Sequence, residues 1–234
     1  PWMDYLARSS YMLQQGKPVV DILYYYGENN NITQICSTTL PKLPRGYEFD
    51  FVNATALKEV ISAKDGKLVC ASGMTYNVLV LDESARLMTL STLKKIKELA
   101  TAGIKITGTK PEMSPSLTDS VPEFNAIVNE VWNLPNVSAK SVEEILKADG
   151  IAEDLIVDGV ASEVFYVHRK TMDTDIYWLN NRSESPTDAK VSFRTTNKIP
   201  ELWNPETGET ELISYEIKDG RTTIPLHFES WDAY

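Results

Sequence analysis

One stretch, residues 73–111, constrains the fold more than any other part of the sequence. Residues 77–81 (NVLVL) form a short apolar run that is typical of a strand buried on both faces of a parallel sheet. Apolar residues then recur at spacings of three and four and predict one buried helix face: Leu90, Leu93, Ile96, Leu99 and Ala100. Thr89 or Ser91 can cap this helix and Gly103 can end it. Residues 104–107 predict a second strand, so the stretch predicts a right-handed crossover between parallel strands.

The residues before this stretch predict two helices and further strands. Residues 2–15 have helical periodicity and are followed by Gly16, which is suited to end a helix. A second helix, capped by Asn53 or Thr55, is expected to run to Ile61. The predicted strands, rich in β-branched and aromatic residues, are 19–26, 47–52 and 67–71.

Two more helices are predicted beyond Pro111. Ser120 can cap a helix over residues 121–132, and Ser141 with Glu144 has the spacing of a capping box for residues 142–148. Strands that alternate with helices in this way predict four or five parallel strands with helices on both faces. The expected fold of this part is flavodoxin-like or glutamine-amidotransferase-like.

The pattern changes at about residue 162 to the two-residue alternation of antiparallel strands. The predicted strands are 164–170, 175–179, 190–196 and 212–228. Asp219-Gly220 is a strong hairpin signal. We therefore expect an α/β domain over residues 1–161 and a β-sandwich domain over residues 162–234. The sandwich is expected to be incomplete, and a chain that begins at Pro1 without Met is expected to be part of a larger protein.

Composition excludes some classes of function. The formal net charge is -10, which argues against a nucleic-acid partner, because phosphate binding needs a basic face. No apolar stretch is long enough to span a membrane. Two cysteines, Cys36 and Cys70, are too few for a disulfide scaffold or a zinc site, and Cys70 is expected to be a buried thiol.

The usual signatures of phosphate-binding loops, zinc hydrolases and serine hydrolases are missing, so we nominate no catalytic residue, no metal ligand and no cofactor. Hydrolysis of a glycoside generally needs two facing carboxyl groups, and the sequence does not nominate such a pair. The substrate-binding candidates are Glu28 and Tyr26 at the end of the first strand, and His168 and Arg169 on the first antiparallel strand. The alternative interpretation of each is structural: a solvated loop acid, core packing, or a hydrogen-bonded histidine. Weak glycosylation motifs occur at Asn31, Asn53, Asn136 and Asn181.

Several segments together resemble glycoside hydrolase family 106, the α-L-rhamnosidase-like enzymes of bacteria, in the portion after the catalytic barrel. They include YLARSSYMLQQGKPVVDILYYYGEN, GKLVCASGMTYNVLVLDESARLMTLSTLKKIKEL, FYVHRKTMDTDIYWLNNRSE and PELWNPETGE, in the same order as in the family. The resemblance implies inverting hydrolysis of terminal α-L-rhamnosides by a parent enzyme. It also implies a calcium-dependent site and two catalytic glutamates on a barrel that this chain lacks, and a periplasmic or extracellular location.

Two hypotheses follow, and a third is weaker. The chain is an accessory part of a rhamnosidase-like hydrolase, inactive alone, whose partners are the catalytic barrel of the parent and its carbohydrate substrate. Alternatively, it is a self-standing carbohydrate-binding or interaction module, with Trp178, Trp203 and Tyr166 as stacking faces. Exposure of Trp178 or Trp203 on one face of the sandwich favours the module, and burial of both favours the accessory role. An independent α/β enzyme that uses Cys70 is the third alternative.

Overall fold

The computed structural model describes residues 2–30, 41–158 and 164–234. The sequence motif at Asn31, Cys36 and the predicted domain boundary between residues 161 and 162 lie outside them, so that boundary stays a prediction. The helices are α1 (Trp2–Leu13), α2 (Ala54–Glu59), α3 (Leu90–Thr101), α4 (Val121–Trp132) and α5 (Val142–Ala148). The strands are β1 (Lys17–Pro18), β2 (Ile22–Tyr25), β3 (Phe49–Val52), β4 (Ile61–Lys64), β5 (Lys67–Cys70), β6 (Thr75–Tyr76), β7 (Val78–Leu81), β8 (Lys105–Gly108), β9 (Leu155–Asp158), β10 (Val164–Lys170), β11 (Asp175–Asn181), β12 (Thr187–Phe193), β13 (Glu201–Trp203), β14 (Thr210–Leu212), β15 (Glu216–Lys218) and β16 (Arg221–Phe228).

The chain forms two compact units. The first is Val20–Ala152, and the second combines the segment that ends at Val19 with Glu153–Tyr234. The fold is mixed α/β, with one parallel sheet in the first unit and several antiparallel sheets.

A four-stranded parallel sheet in the order β3-β2-β7-β8 is the centre of the first unit. The predicted strand, helix and strand of residues 73–111 are therefore confirmed as β7, α3 and β8. Strands β2 and β7 are buried at every position, as expected for a parallel sheet that is covered on both faces.

Alternate side chains of β2 and β7 pack into two different apolar clusters. Leu23, Tyr25, Leu79 and Leu81 share one cluster with buried residues of α2, α3 and α4. Ile22, Tyr24, Val78 and Val80 share the other with buried residues of α5. Because side chains alternate across a strand, the two clusters lie on opposite faces of the sheet, and helices cover both faces as predicted.

The region before β7 corrects two expectations. The helix that was expected to reach Ile61 ends at Glu59, and Ile61 begins β4. Residues 67–71 were expected to add a parallel strand, but β5 pairs antiparallel with β4 and β6 in a separate three-stranded sheet. The cause is the turn at Asp65-Gly66, where φ is 51° and 74°. Two successive residues with positive φ form the tight turn of a β-hairpin, and the chain therefore reverses at this point.

The second unit is antiparallel. Its sheets have the orders β1-β10-β11, β15-β16-β12-β9 and β13-β14. Leu179 and Tyr166 of the first sheet pack in one apolar cluster with Val191, Leu226 and Phe228 of the second. The predicted hairpin at Asp219-Gly220 is confirmed, because it connects β15 to β16.

The N-terminal segment belongs to this antiparallel unit. Lys17 and Pro18 of β1 pair with Lys170 and Arg169 of β10. The guanidinium of Arg8 on α1 donates hydrogen bonds to two carbonyl oxygens of the β13–β14 turn, at 3.0 and 2.7 Å.

Among the described helices, none combines the length and the apolar composition that crossing a membrane requires.

Candidate functional site

His168 is buried between two carboxylates in the antiparallel unit. Its Nδ1 lies 2.8 Å from Asp154 Oδ2 and its Nε2 lies 3.0 Å from Asp175 Oδ1. All three side chains are at most 5% exposed. The ring also stacks on Tyr177, with 3.9 Å between ring centroids, and the Tyr177 hydroxyl donates to the other oxygen of Asp154 at 3.0 Å.

The β10–β11 hairpin brings these groups together. The strands pair with Lys170 opposite Asp175 and His168 opposite Tyr177. Directly opposed residues of an antiparallel pair point to the same face, so the imidazole and the phenol lie side by side. Asp154 immediately precedes β9, and β9 pairs with β12.

The charges of this cluster are balanced by basic side chains. Burial lowers the pKa of His168, whereas the hydrogen bonds that its ring donates to Asp154 and Asp175 raise it, and the net direction is upward. Asp175 also accepts hydrogen bonds from Lys198 at 2.6 Å and Thr195 at 3.0 Å. Burial raises the pKa of Asp175, but the bond from His168, followed by those from Lys198 and Thr195, holds it below the usual range. Arg194 lies 3.3 Å from Asp154.

This geometry does not suit His168 for acid–base chemistry. A ring whose two nitrogens both face carboxylates carries a proton on each nitrogen and has no lone pair free to accept one. The two carboxylates do flank a common centre, but that centre is the imidazole itself and both are buried. The cluster therefore connects β10 and β11 to the segments that flank β9 and β12, and its observed role is structural.

Arg169, the neighbour of His168, points to the other face of β10. Its guanidinium donates to the carbonyl oxygens of Gln15 at 2.5 Å and Gly16 at 2.9 Å. These bonds secure the end of the N-terminal segment, where Val19 also donates its backbone N–H to the carbonyl oxygen of His168 at 2.9 Å.

Glu28 lies just beyond the carboxyl end of β2 and binds the first turn of α3. Its two oxygens accept hydrogen bonds from the backbone N–H of Thr89 at 2.6 Å and from the hydroxyls of Thr89 and Thr92 at 2.7 and 2.6 Å. Asp119 accepts a further bond from the N–H of Leu90 at 2.7 Å. The start of a helix attracts anions, and here the protein's own carboxylates occupy it.

Tyr26 is half-buried at the same edge of the parallel sheet. Its ring meets Phe51 edge to face, with 6.0 Å between centroids, and its carbonyl oxygen accepts a bond from the Ser84 hydroxyl at 2.7 Å. Gly27, with φ of 85°, has no room for a side chain, because a Cβ there would overlap that hydroxyl. The loops after β2 and β7 are therefore packed together.

The structure thus forms two separate pairs from the four sequence candidates. Glu28 and Tyr26 belong to the parallel unit, and His168 and Arg169 belong to the antiparallel unit. Tyr26 and His168 make the contacts of their structural interpretations, whereas Glu28 is bonded to the start of α3 and is not a solvated loop acid. Substrate binding by these residues stays a prediction.

The aromatic candidates differ in exposure. Tyr166 is buried, and Trp178 is half-buried with an indole N–H that meets no acceptor among the described residues. Trp203 is 48% exposed, and its indole N–H donates to Glu201 at 3.2 Å. By the criterion stated above, this exposure favours a binding module.

The remaining sequence signals are Cys70 and the glycosylation motifs at Asn53, Asn136 and Asn181. Cys70 is a half-buried free thiol whose sulfur lies 2.8 Å from the Ser72 hydroxyl. Asn53 caps α2, Asn136 donates to two carbonyl oxygens, and Asn181 is buried. Within residues 2–30, 41–158 and 164–234, no group of three or more His, Cys, Asp or Glu side chains could hold a metal ion.

Sequence reasoning missed Asp154, Asp175 and the exposed Trp231. A four-residue turn over residues 171–174 fixes the hairpin register, so the pairing of His168 with Tyr177 could have been inferred from the turn. Asp154 gave no such signal, because its contact with β10 is not local.

The profile of the glycoside hydrolase family 106, described as alpha-L-rhamnosidase, matches residues 1–217. A protein from Formosa agariphila named "Putative beta-glucuronidase" is 34% identical over 238 aligned residues, which cover 99% of this chain and 20% of that protein. A solved structure, "Structure of Rhamnosidase from Novosphingobium sp. PP1Y", matches with a TM-score of 0.91 and 34% identity over 100% of this chain and 24% of that one. The chain thus spans about a fifth to a quarter of the length of these relatives.

Proposed function

The chain belongs to glycoside hydrolase family 106, the alpha-L-rhamnosidase family, and we propose that it is a non-catalytic part of a larger enzyme that hydrolyses terminal α-L-rhamnosides. The observation that carries this proposal is that the candidate carboxylates already bind groups of the protein itself. Glu28 caps α3, and Asp154 and Asp175 bind His168 inside the antiparallel unit. None of these groups is placed to face another across a sugar bond, as hydrolysis requires.

The lengths of the relatives support the same role. The matched region is 20% of one relative and 24% of the other, which leaves room for a catalytic barrel elsewhere in such a protein. In this proposal the barrel supplies the two catalytic glutamates and any calcium site, and this chain packs against it. The family also supports a periplasmic or extracellular location.

The finer fold assignments are part of the proposal. The order β3-β2-β7-β8 agrees with the first four strands of the flavodoxin-like order 2-1-3-4-5. The shared apolar cluster of sheets β1-β10-β11 and β15-β16-β12-β9 supports a β-sandwich.

Hydrolysis of an aryl α-L-rhamnoside tests the accessory role. The 234-residue chain is assayed with calcium and then with a chelator, and the Novosphingobium rhamnosidase is the positive control. We expect no turnover by the chain in either condition. Turnover by the chain in either condition would overturn the proposal, because it would require a working carboxylate pair within this chain.

The exposed Trp203 supports a second candidate function, a self-standing carbohydrate-binding module. An indole face that is open to solvent can stack on the C–H face of a sugar ring. Sugar binding by the isolated chain that Trp203→Ala abolishes, without hydrolysis, would favour this second function.

A further inference from the structure

Trp231 has a backbone conformation that is costly for its residue type. Its φ is 61°, in the left-handed region, and its side chain is 62% exposed. Bulky residues rarely adopt positive φ, because Cβ then crowds the following carbonyl oxygen. Because most of the indole is exposed, its packing contributes little free energy to offset this cost. Neighbouring contacts must therefore impose the conformation.

Hydrogen bonds around Asp232 impose it. The N–H of Trp231 donates to the carbonyl oxygen of Ser183 at 3.1 Å, and the carboxylate of Asp232 accepts bonds from the N–H groups of Glu229 and Ala233. The carbonyl oxygen of Asp232 accepts from the N–H of Asn181 at 2.9 Å. These bonds attach the turn to the end of β11, next to Arg182 and Ser183, and the indole is exposed there.

Arg182 directly precedes Ser183, to which Trp231 is bonded, and it brings a cation and a second aromatic ring to this end of β11. Phe165 of β10 pairs with Asn180 of β11, so both side chains project from one face. The guanidinium carbon of Arg182 lies 4.3 Å from the centre of the Phe165 ring, and its Nε donates to Asn180 Oδ1 at 3.1 Å. These two contacts fix the guanidinium, whose Nη groups donate to no acceptor among the described residues.

We propose that Trp231 and Arg182, supported by Phe165 and Asn180, form a carbohydrate-binding surface for a terminal α-L-rhamnosyl unit. The exposed indole offers a flat apolar face to the ring C–H groups and to the C6 methyl group of the sugar. The Nη donors of Arg182 are held where they can bind two neighbouring hydroxyls. The choice of rhamnose rests on the proposed function, whereas the surface itself rests on this geometry.

Titration of methyl α-L-rhamnoside into the full chain tests the surface. The sequence has five tryptophans, so a two-dimensional NMR spectrum of indole N–H groups gives few signals, and loss of one in a Trp231 variant assigns it. We expect the Trp231 signal to move on titration. Trp231→Gly and Arg182→Ala should each weaken binding by about tenfold or more, because an exposed aromatic anchor and its charged neighbour dominate such contacts.

Trp231→Gly separates binding from folding. Glycine adopts positive φ without strain, so this variant should unfold at a higher urea concentration than the original chain while it loses the sugar. Asn197→Gly, which also replaces a residue with φ of 60°, is the matched control and should bind normally. Trp203→Ala should bind normally as well.

Three results would overturn the surface: no movement of the Trp231 signal, unchanged affinity in Trp231→Gly, or loss of binding only in Trp203→Ala. The last would still leave a binding module at Trp203. The hydrolysis assay is independent of these outcomes, because turnover by the chain would overturn the accessory role and leave the titration unaffected.

Discussion

At the scale of single residues, Glu28 shows how a strand-end carboxylate can serve the fold. It is the acceptor for one backbone N–H and two hydroxyls at the start of α3. Glu28→Ala removes all three bonds, and we expect the free energy of unfolding to fall by about 2 kcal/mol, the usual size for a charged acceptor whose donors are left behind. Urea unfolding followed by circular dichroism measures the loss.

Glu59→Ala is the matched control, because Glu59 is exposed at the end of α2. Its unfolding free energy should stay within about 0.5 kcal/mol of the original value. Hydrogen exchange adds a local reading: the first-turn amides of α3 should lose protection in Glu28→Ala and keep it in Glu59→Ala. Equal stability of the two variants would contradict a capping role for Glu28.

His168 makes the stability of the antiparallel unit depend on pH. Its pKa is raised above 6.5 in the fold, so its contribution is fully present below pH 6.5 and is lost as the pH rises through the folded pKa. The pKa of Asp175 is lowered from 3.8, so its contribution is present above that value and is lost as the pH falls. Urea unfolding as a function of pH should therefore show highest stability in mildly acid solution.

His168→Gln should lower the unfolding free energy by about 3 kcal/mol and remove the alkaline part of this pH profile, because it leaves buried carboxylates without their cationic partner. His227 supplies the control. It also lies between two carboxylates, Asp188 and Glu229, but its side chain is 55% exposed. The hydrogen bonds to Asp188 and Glu229 also raise the pKa of His227, but solvent screens these exposed ion pairs. His227→Gln should therefore keep most of the alkaline slope, and loss of that slope in this variant instead would contradict the assignment to His168.

At the scale of elements, Gly16 determines how the N-terminal segment meets β10. Its φ is 54°, and a Cβ there would overlap the carbonyl oxygen of Lys170. Gly16→Ala therefore adds a backbone clash to the strain of positive φ, and it should cost clearly more than the roughly 1–2 kcal/mol of that strain alone.

Gly66→Ala isolates the strain. Its φ of 74° is also positive, but a Cβ there meets nothing within 4 Å. Urea unfolding should rank Gly16→Ala as the less stable variant of the two. The reverse order would mean that β1 does not pair with β10 as the register requires.

The elements also show where sequence patterns succeed. Residues 73–111 could be assigned because periodicity, burial and the terminal Gly103 agree within one continuous stretch, although the side chain of the N-cap residue Thr89 makes no capping hydrogen bond. The capping box of Ser141 and Glu144 at α5 is confirmed. The hairpin at Asp65-Gly66 carried the same dipeptide signal as Asp219-Gly220. It was misassigned because the short apolar run of residues 67–71 is equally typical of a parallel strand, and only the reversal at the turn distinguishes the two.

The candidate site was less predictable for a different reason. The position of Glu28 after a buried strand follows from the sequence, but its role depends on Thr89, 61 residues away. The role of His168 likewise depends on Asp154, on the far side of β9. No alternation or spacing within one segment encodes such pairs, so the sequence could nominate these residues without deciding what they contact.

At the scale of the whole molecule, the parallel unit interrupts the antiparallel one in the sequence. The two ends of the antiparallel unit that border this insertion, Val19 and Glu153, lie close to His168. The N–H of Val19 donates to the carbonyl oxygen of His168, and Asp154 binds its ring. The two ends therefore lie on either side of one residue, within reach of a short linker. A linker of about six Gly and Ser residues, which spans at most about 20 Å, can join Val19 to Glu153.

We expect the joined chain, residues 1–19 linked to residues 153–234, to fold, because it retains the apolar cluster, the His168 ion pairs and the contacts of Arg8 and Arg169. A second chain with residues 153–234 alone lacks β1 and α1, and it should unfold at a lower urea concentration. Near-ultraviolet circular dichroism and the pH profile expected for His168 measure whether the joined chain is native. An unfolded joined chain would mean that the antiparallel unit depends on residues 20–152 for its stability, and the two units would then be one cooperative structure.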